Sequence, residues 1–333
     1  MSRSSWKART TSLWLSVLLI SFGLGTFIGT GGRSEAWTGR PPLSKLRRQA
    51  LDGKSATSPC SLADKVSVVI VTSPVGSHPS TQLVEGVISS FDLVAGLSDC
   101  PLLVVADGVK VRPGAPRWNQ GKVDEQALER YLDYIKSLRT LYAAVQEPQG
   151  RPGRALGSTT AVLGPLGRRV NFGHALLEGL KHVETEFVLV VQHDRVFAEP
   201  FDLEDALAFF DEYPDKLRYL GFQTSDYQTV VQSKHGKWAS CDRPLPASTP
   251  GLIPLLMWYD STHICRTKQY AQLIEKEVKP GEFIESSYGC RLLDQIKSAG
   301  RPDAFLDFDF HMDNFGLFLY HDPKIRSKAP MAQ

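Results

Sequence analysis

The sequence predicts an α/β protein built on a mostly parallel central sheet, and three apolar runs carry that prediction. Lys65 to Thr72, Pro101 to Ala106 and Glu186 to Gln192 are each dominated by Val, Leu, Ile or Phe, the pattern of strands buried on both faces. Segments of helical spacing lie between them, and each run stops in a polar or acidic turn. Strand, helix and strand joined by a right-handed connection open a nucleotide-binding α/β domain.

The first run ends at Ser73-Pro74, and a loop containing Gly76, Ser77, His78 and Pro79 follows. Thr81 to Leu97 sets Leu83, Val84, Val87, Ile88, Phe91 and Leu93 at helical spacing. The second run closes in Asp107-Gly108. Glu125 to Val145 reads as a helix, and Gln146 to Leu166, broken by Gly and Pro, as a loop. Asn171 to His182 is an amphipathic helix leading into the third and most apolar strand, which ends in Gln192-His193-Asp194. Further on, Tyr219 to Phe222, Ile253 to Tyr259 and Phe315 to His321 read as strands. Thr267 to Glu277 and Gly289 to Ser298 read as helices. No linker separates a nucleotide-binding half, 64–200, from a second half, 201–325, so one domain over 64–325 with a short tail, 326–333, is expected. In open α/β sheets ligands lie beyond the carboxyl ends of the strands, so Thr72, Asp107 and Asp194 should meet at one crevice.

Ahead of this domain, no charged residue occurs between Arg9 and Arg33, a length that can cross a bilayer as a helix. Residues 11–32 are read as a signal anchor. Arg3, Lys7 and Arg9 precede it, which keeps a tail, 1–10, in the cytoplasm and sends the rest across in a type II orientation. A cleaved signal peptide is the competing reading, since Gly23, Gly25, Gly29, Gly31 and Gly32 are small residues near its end. Residues 33–63, rich in Gly, Pro, Ser, Arg and Lys, read as a stem. No Asn-x-Ser/Thr sequon occurs, so N-glycans are not expected.

Lys and Arg number 38 against 36 Asp and Glu, a formal net charge of +2, which leaves no footprint of a nucleic-acid binder. The five cysteines, Cys60, Cys100, Cys241, Cys265 and Cys290, are far apart and form no zinc-type cluster. A lumenal address would permit one or two disulfides, with an odd thiol left over.

Val69 to Ser73, Val104 to Gly108, Asn171 to Gly173 and Val190 to Asp194 together resemble, in their order, nucleotide-sugar glycosyltransferases of the GT-A fold, close to the large family 2 type. The resemblance covers about residues 64–200. It implies a Rossmann-like GT-A domain that transfers sugar from a nucleotide-sugar donor, UDP-type favoured, to a hydroxyl acceptor on a glycan or glycoprotein. The N-terminal segment, read as anchor or as signal peptide, puts that domain in the secretory lumen, with a Golgi or other secretory-pathway membrane expected. Thr72 and Ser73 would line the nucleotide pocket, Asp107 would accept a hydrogen bond from the base, and Asn171 and Gln192 would lie nearby. Arg168 and Arg169 precede the Asn171 helix and could reach the diphosphate. Asp194 matches the last acid of the family's metal motif, but the usual Asp-x-Asp is here Gln192-His193-Asp194. Mn²⁺ or Mg²⁺ would then rest on Asp194, with His193 and His321 as further ligands, because a leaving diphosphate needs its charge stabilised.

An inverting transfer needs a base for the attacking hydroxyl, and Glu282 and Glu285 in Gly281-Glu282-Phe283-Ile284-Glu285 are the candidates, Glu285 preferred. Trp258, Tyr259 and Asp260, with Thr262 and His263, form a candidate acceptor cluster, since aromatic faces stack on sugars; aromatics packed in a core strand are the competing reading. Two other functions are compatible with these residues. One is an inactive, membrane-anchored sugar- or nucleotide-binding scaffold, which the missing first acid favours. The other is a different metal-dependent nucleotide enzyme, which would want more carboxylates than one.

Overall fold

In the computed structural model, which describes residues 61–143, 160–222, 251–299 and 307–320, all seven positions of Val66–Thr72 (β1) are buried. An unbroken β-branched run can be stable only where both sheet faces are covered. The chain begins with a short helical turn, α1 (Leu62–Lys65), and after β1 continues through α2 (Gln82–Ser89), β2 (Leu102–Ala106), β3 (Lys110–Val111), β4 (Lys122–Val123) and α3 (Glu125–Ala143). Next come β5 (Thr160–Leu163), α4 (Asn171–Leu180), β6 (Phe187–Gln192), α5 (Leu203–Glu212) and β7 (Tyr219–Phe222). The remaining elements are β8 (Leu252–Pro254), β9 (His263–Arg266), α6 (Thr267–Glu277), α7 (Cys290–Ser298), α8 (Phe308–Asn314) and β10 (Leu317–Tyr320).

Eight strands form one sheet in the order β5-β2-β1-β6-β9-β7-β10-β8. Pairing is parallel from β5 to β6 and between β7 and β10, while β8 and β9 oppose their neighbours. The two expected halves therefore share one sheet, joined where Val188 on β6 pairs with Cys265 on β9. Alternation along the strands divides the core in two. Val68, Ile70, Leu189 and Val191 pack with α2, α3 and α5, whereas Val69, Val71, Val188 and Val190 pack with α4, α6 and α7. Removing the side chain of such a fully buried residue as Leu189 typically costs about 2–5 kcal/mol.

The connections from β1 to β2 to β5 step outward in one direction, and β6 then returns to the other flank of β1. This reversal makes the carboxyl ends of β1 and β6 the topological switch point, where the rule for open α/β sheets puts a ligand crevice.

Several elements differ from the sequence expectation. The segment expected as a loop through Leu166 contains β5, an edge strand of four partly exposed residues that leaves no continuous apolar signal. The strand expected over Ile253 to Tyr259 is cut to Leu252–Pro254, and the helix expected over Thr81 to Leu97 ends at Ser89 and continues as a 3₁₀ turn, Ser90–Leu93. α5, β9 and α8 were unforeseen. Of the tail, anchor and stem expected over 1–63, residues 1–60 lie outside the described residues, as does the tail expected over 326–333, while Ser61, Leu62 and Ala63 cap and begin α1; no helix among the described residues is long and apolar enough to cross a membrane. Cys100, Cys265 and Cys290 form no disulfide.

Candidate functional site at the carboxyl edge of the sheet

Thr72, Asp107 and Gln192 end or follow three adjacent parallel strands, with Thr72 paired to Ala106 and Val71 to Gln192. The backbone N–H of Asp107 donates to the carbonyl of Thr72 at 2.9 Å. β9 runs antiparallel to β6, so its first residue, His263, pairs with Val190 near the end of β6 and brings the Trp258 to Thr262 segment toward the same edge.

Asp107 is 3% exposed and its carboxylate is turned to the backbone. Oδ1 accepts N–H groups from Gly108 at 2.7 Å and Val170 at 2.9 Å, and Oδ2 accepts that of Asn171 at 3.1 Å. Burial pushes this carboxyl above its usual range, while the three N–H groups and nearby Arg169 pull it back down. The chain from Leu166 to Arg168 crosses so close above Gly108 that a Cβ there would collide with its backbone.

Asn171 is left-handed, with φ of 66°. Its Oδ1 accepts from Nε of Arg169, and its Nδ2 donates to the carbonyl of Gly281. Val170 also accepts the Gly281 N–H at 3.2 Å, and His174 meets the Val278 carbonyl at 2.8 Å. The carboxyl end of β2 is thereby tied to the loop that carries Glu282 and Glu285.

Beneath the crevice lies a buried polar and aromatic group that the sequence reading passed over as loop and helix. Thr72 Oγ1 is 3.1 Å from the Tyr134 hydroxyl, and Tyr131 donates to the carbonyl of Asp107 at 2.8 Å. His78 stacks on Tyr134 at 4.0 Å and accepts the Val75 N–H at Nδ1, which fastens the loop after β1. Burial, with His193 nearby, lowers His78 to about 4, so its ring is neutral at neutral pH. The available signal was the spacing of Tyr131 and Tyr134 on one face of α3.

Gln192-His193-Asp194 follows β6. Gln192 accepts from Arg195 at 3.4 Å, His193 bonds the Val71 backbone, and Asp194 is exposed. Burial lowers the His193 pKa, while Asp194 and the bond to Val71 oppose the shift. Among the described residues no group of three His, Cys, Asp or Glu side chains is placed to hold a metal ion. His321 lies outside the described residues.

Trp258 and Tyr259 are buried at 1% and 6% exposure. Tyr219, His263, Tyr270 and Tyr288 surround the Trp258 indole. These two rings therefore lie largely within the core under the edge, with Trp258 at the lining of a cavity shared with Arg218, Gln269 and Tyr270. His263 is fully buried between the Ser261 carbonyl and the Tyr270 hydroxyl, and burial lowers it to about 4. Glu285 opens a π-helical turn, Glu285–Gly289, and its Oε2 accepts the Asp260 N–H at 3.1 Å. π-Turns of this kind are enriched at functional sites. Glu282 accepts the Lys279 N–H at 3.4 Å.

Compared by sequence, the chain matches no family model and no curated protein. Solved structures match at low similarity. S. aureus TarS is 18% identical over 78% of this chain and 35% of its own, with a TM-score of 0.34. The mannosyltransferase PcManGT from Pyrobaculum calidifontis, in complex with GDP-Man and Mn²⁺, is 14% identical over 86% of this chain and 65% of its own, with a TM-score of 0.34. A cytidylyltransferase from Leptospira borgpetersenii is 8% identical over 80% of this chain and 78% of its own, with a TM-score of 0.38. This chain thus spans about a third of the TarS structure's length.

Proposed function

We propose that the chain is a GT-A-type glycosyltransferase that moves a sugar from a nucleotide-sugar donor, UDP-type favoured, to a hydroxyl acceptor in the secretory lumen. The observation that carries this reading is the β1/β6 switch point, where the end of β1, followed by Ser73, lies beside the end of β6, followed by His193 and Asp194. Asp107 and Asn171 hold the turn beside the end of β2 through backbone bonds, and the Arg169 guanidinium next to them is the cation assigned to the donor's diphosphate.

The described residues fit a divalent ion only as far as one carboxylate, Asp194. Mn²⁺ or Mg²⁺ bound there with the donor's phosphates would supply leaving-group charge stabilisation. Glu285, held by the Asp260 N–H, keeps its second oxygen for a proton from the acceptor hydroxyl in an inverting transfer, with Glu282 as the other candidate base. Asp260 stays beside it as an acceptor contact.

The test is incubation of the full chain with a panel of nucleotide-sugars, reading free nucleoside diphosphate and glycosylated product. Release of nucleoside diphosphate by the parent and its loss in Asp194→Ala are expected. A folded chain that neither binds nor consumes any nucleotide-sugar overturns the reading. Gln192 in place of an acid favours one second reading, a nucleotide-binding scaffold, which would bind the donor and release nothing.

A further inference from the structure

Between β2 and α3 the chain makes a small flap of two paired strands, β3 and β4, joined through Trp118–Gln120. It starts directly after Asp107-Gly108, at the carboxyl edge already described. Its tip is tied down from two sides. Arg117 and Lys122 bond through their backbones at 2.8 Å, and Nη2 of Arg169 donates to the Asn119 carbonyl at 3.1 Å. Gly121, at φ of 54°, lies flat against the same guanidinium, and a Cβ there would collide with Nη1. The flap is therefore built around Arg169, the cation nearest Asp107.

This anchoring places Trp118 against Gly76 in the loop after β1, where an added Cβ would lie 3.8 Å from the indole Nε1. Trp118 is only half-buried, and Gly76 is exposed. The indole N–H has no hydrogen-bond partner among the described residues. A large ring, held by bonded backbone and left partly exposed beside the loop that follows β1, is suited to stacking on a planar ligand. The guanidinium behind it suits an anion on the same ligand.

We infer that Trp118 is the stacking platform for the base of the donor nucleotide, an inference that rests on the nucleotide-sugar reading above. The base lies on the indole while the diphosphate runs toward Arg169 and Asp194. Stacking is tolerant of base identity, so Trp118 contributes affinity for nucleoside diphosphates generally and none for a phosphate chain without a base.

The probes are UDP and inorganic pyrophosphate, titrated calorimetrically into the full chain and followed by tryptophan fluorescence. Trp118→Ala should weaken UDP about tenfold or more, leave pyrophosphate unchanged, and be largely rescued by Trp118→Phe. UDP should also quench the parent's fluorescence, and the quench should be lost in Trp118→Phe although UDP still binds. Equal losses for UDP and pyrophosphate would show that the ring only supports the loop, and an unchanged UDP affinity in Trp118→Ala would place the base elsewhere; either overturns the inference while leaving the donor reading intact. A parent that binds no UDP overturns both.

Discussion

Asn171 stands in the left-handed region at φ of 66° and gives its backbone N–H to Oδ2 of Asp107, 3.1 Å away. A non-glycine residue holds such a conformation only when its surroundings determine it. Here the Asp107 carboxylate on one side and the Gly281 carbonyl on the other do so. The relationship welds the end of β2 to the start of α4 and to the loop before Glu285, so it sets the wall of the crevice.

Asp107→Ala should leave three backbone N–H groups, those of Gly108 and Asn171 buried and that of Val170 partly so, without their acceptor, and each such loss costs about 1–3 kcal/mol less whatever water recovers. Chemical denaturation should therefore show a loss of at least about 2 kcal/mol, and UDP affinity should fall with it. A variant as stable as the parent would contradict the structural role given to Asp107.

At Asn171 the backbone and side-chain contributions can be separated. Asn171→Ala loses the bonds to Gly281 and Arg169 and keeps a Cβ in the left-handed region, whereas Asn171→Gly loses the same bonds and relieves the strain. Glycine should be the milder substitution by about 1 kcal/mol. Equal destabilisation in denaturant titrations would show that conformation is not limiting there.

The fold was legible wherever burial was two-sided, because β1, β2 and β6 combine an unbroken apolar run with a polar stop. β5 and β9 were not. Thr160 to Leu163 is short and sits at the sheet edge, and His263-Ile264-Cys265-Arg266 mixes polar and apolar residues because His263 is buried against the Ser261 carbonyl and the Tyr270 hydroxyl while Arg266 is only partly buried. At the site, the rule that ligands lie beyond the carboxyl ends of parallel strands is what grouped Thr72, Asp107 and Asp194, and the pairings of Thr72 with Ala106 and of Val71 with Gln192 set the ends of β1, β2 and β6 side by side. What Trp258 packs against, and that the His78 ring stacks on Tyr134, depend on contacts between distant segments, which no local pattern encodes.

Acid sensitivity should follow from three buried imidazoles. Burial lowers His78, where His193 adds to the effect, and His263 and His311 to about 4, from an ordinary 6.5. The unfolded chain takes up protons near pH 6.5 and the folded chain only near 4, so stability is fully present above pH 6.5 and is lost as pH falls toward 4. Each group contributes a slope of about 1.4 kcal/mol per pH unit in that window. His263→Gln should reduce the slope by one proton in urea titrations between pH 6.5 and 4, and an unchanged slope would contradict the assignment.

The central claim, a nucleoside diphosphate site at the ends of β1 and β6, is tested most directly by calorimetric titration of UDP into the full chain with and without Mn²⁺, in the parent and in Asp194→Ala. The account predicts saturable binding by the parent that Mn²⁺ strengthens, and an Asp194→Ala protein that folds normally and loses the Mn²⁺-dependent gain. No UDP binding by the parent, or a Mn²⁺ effect of the same size in both proteins, would contradict it.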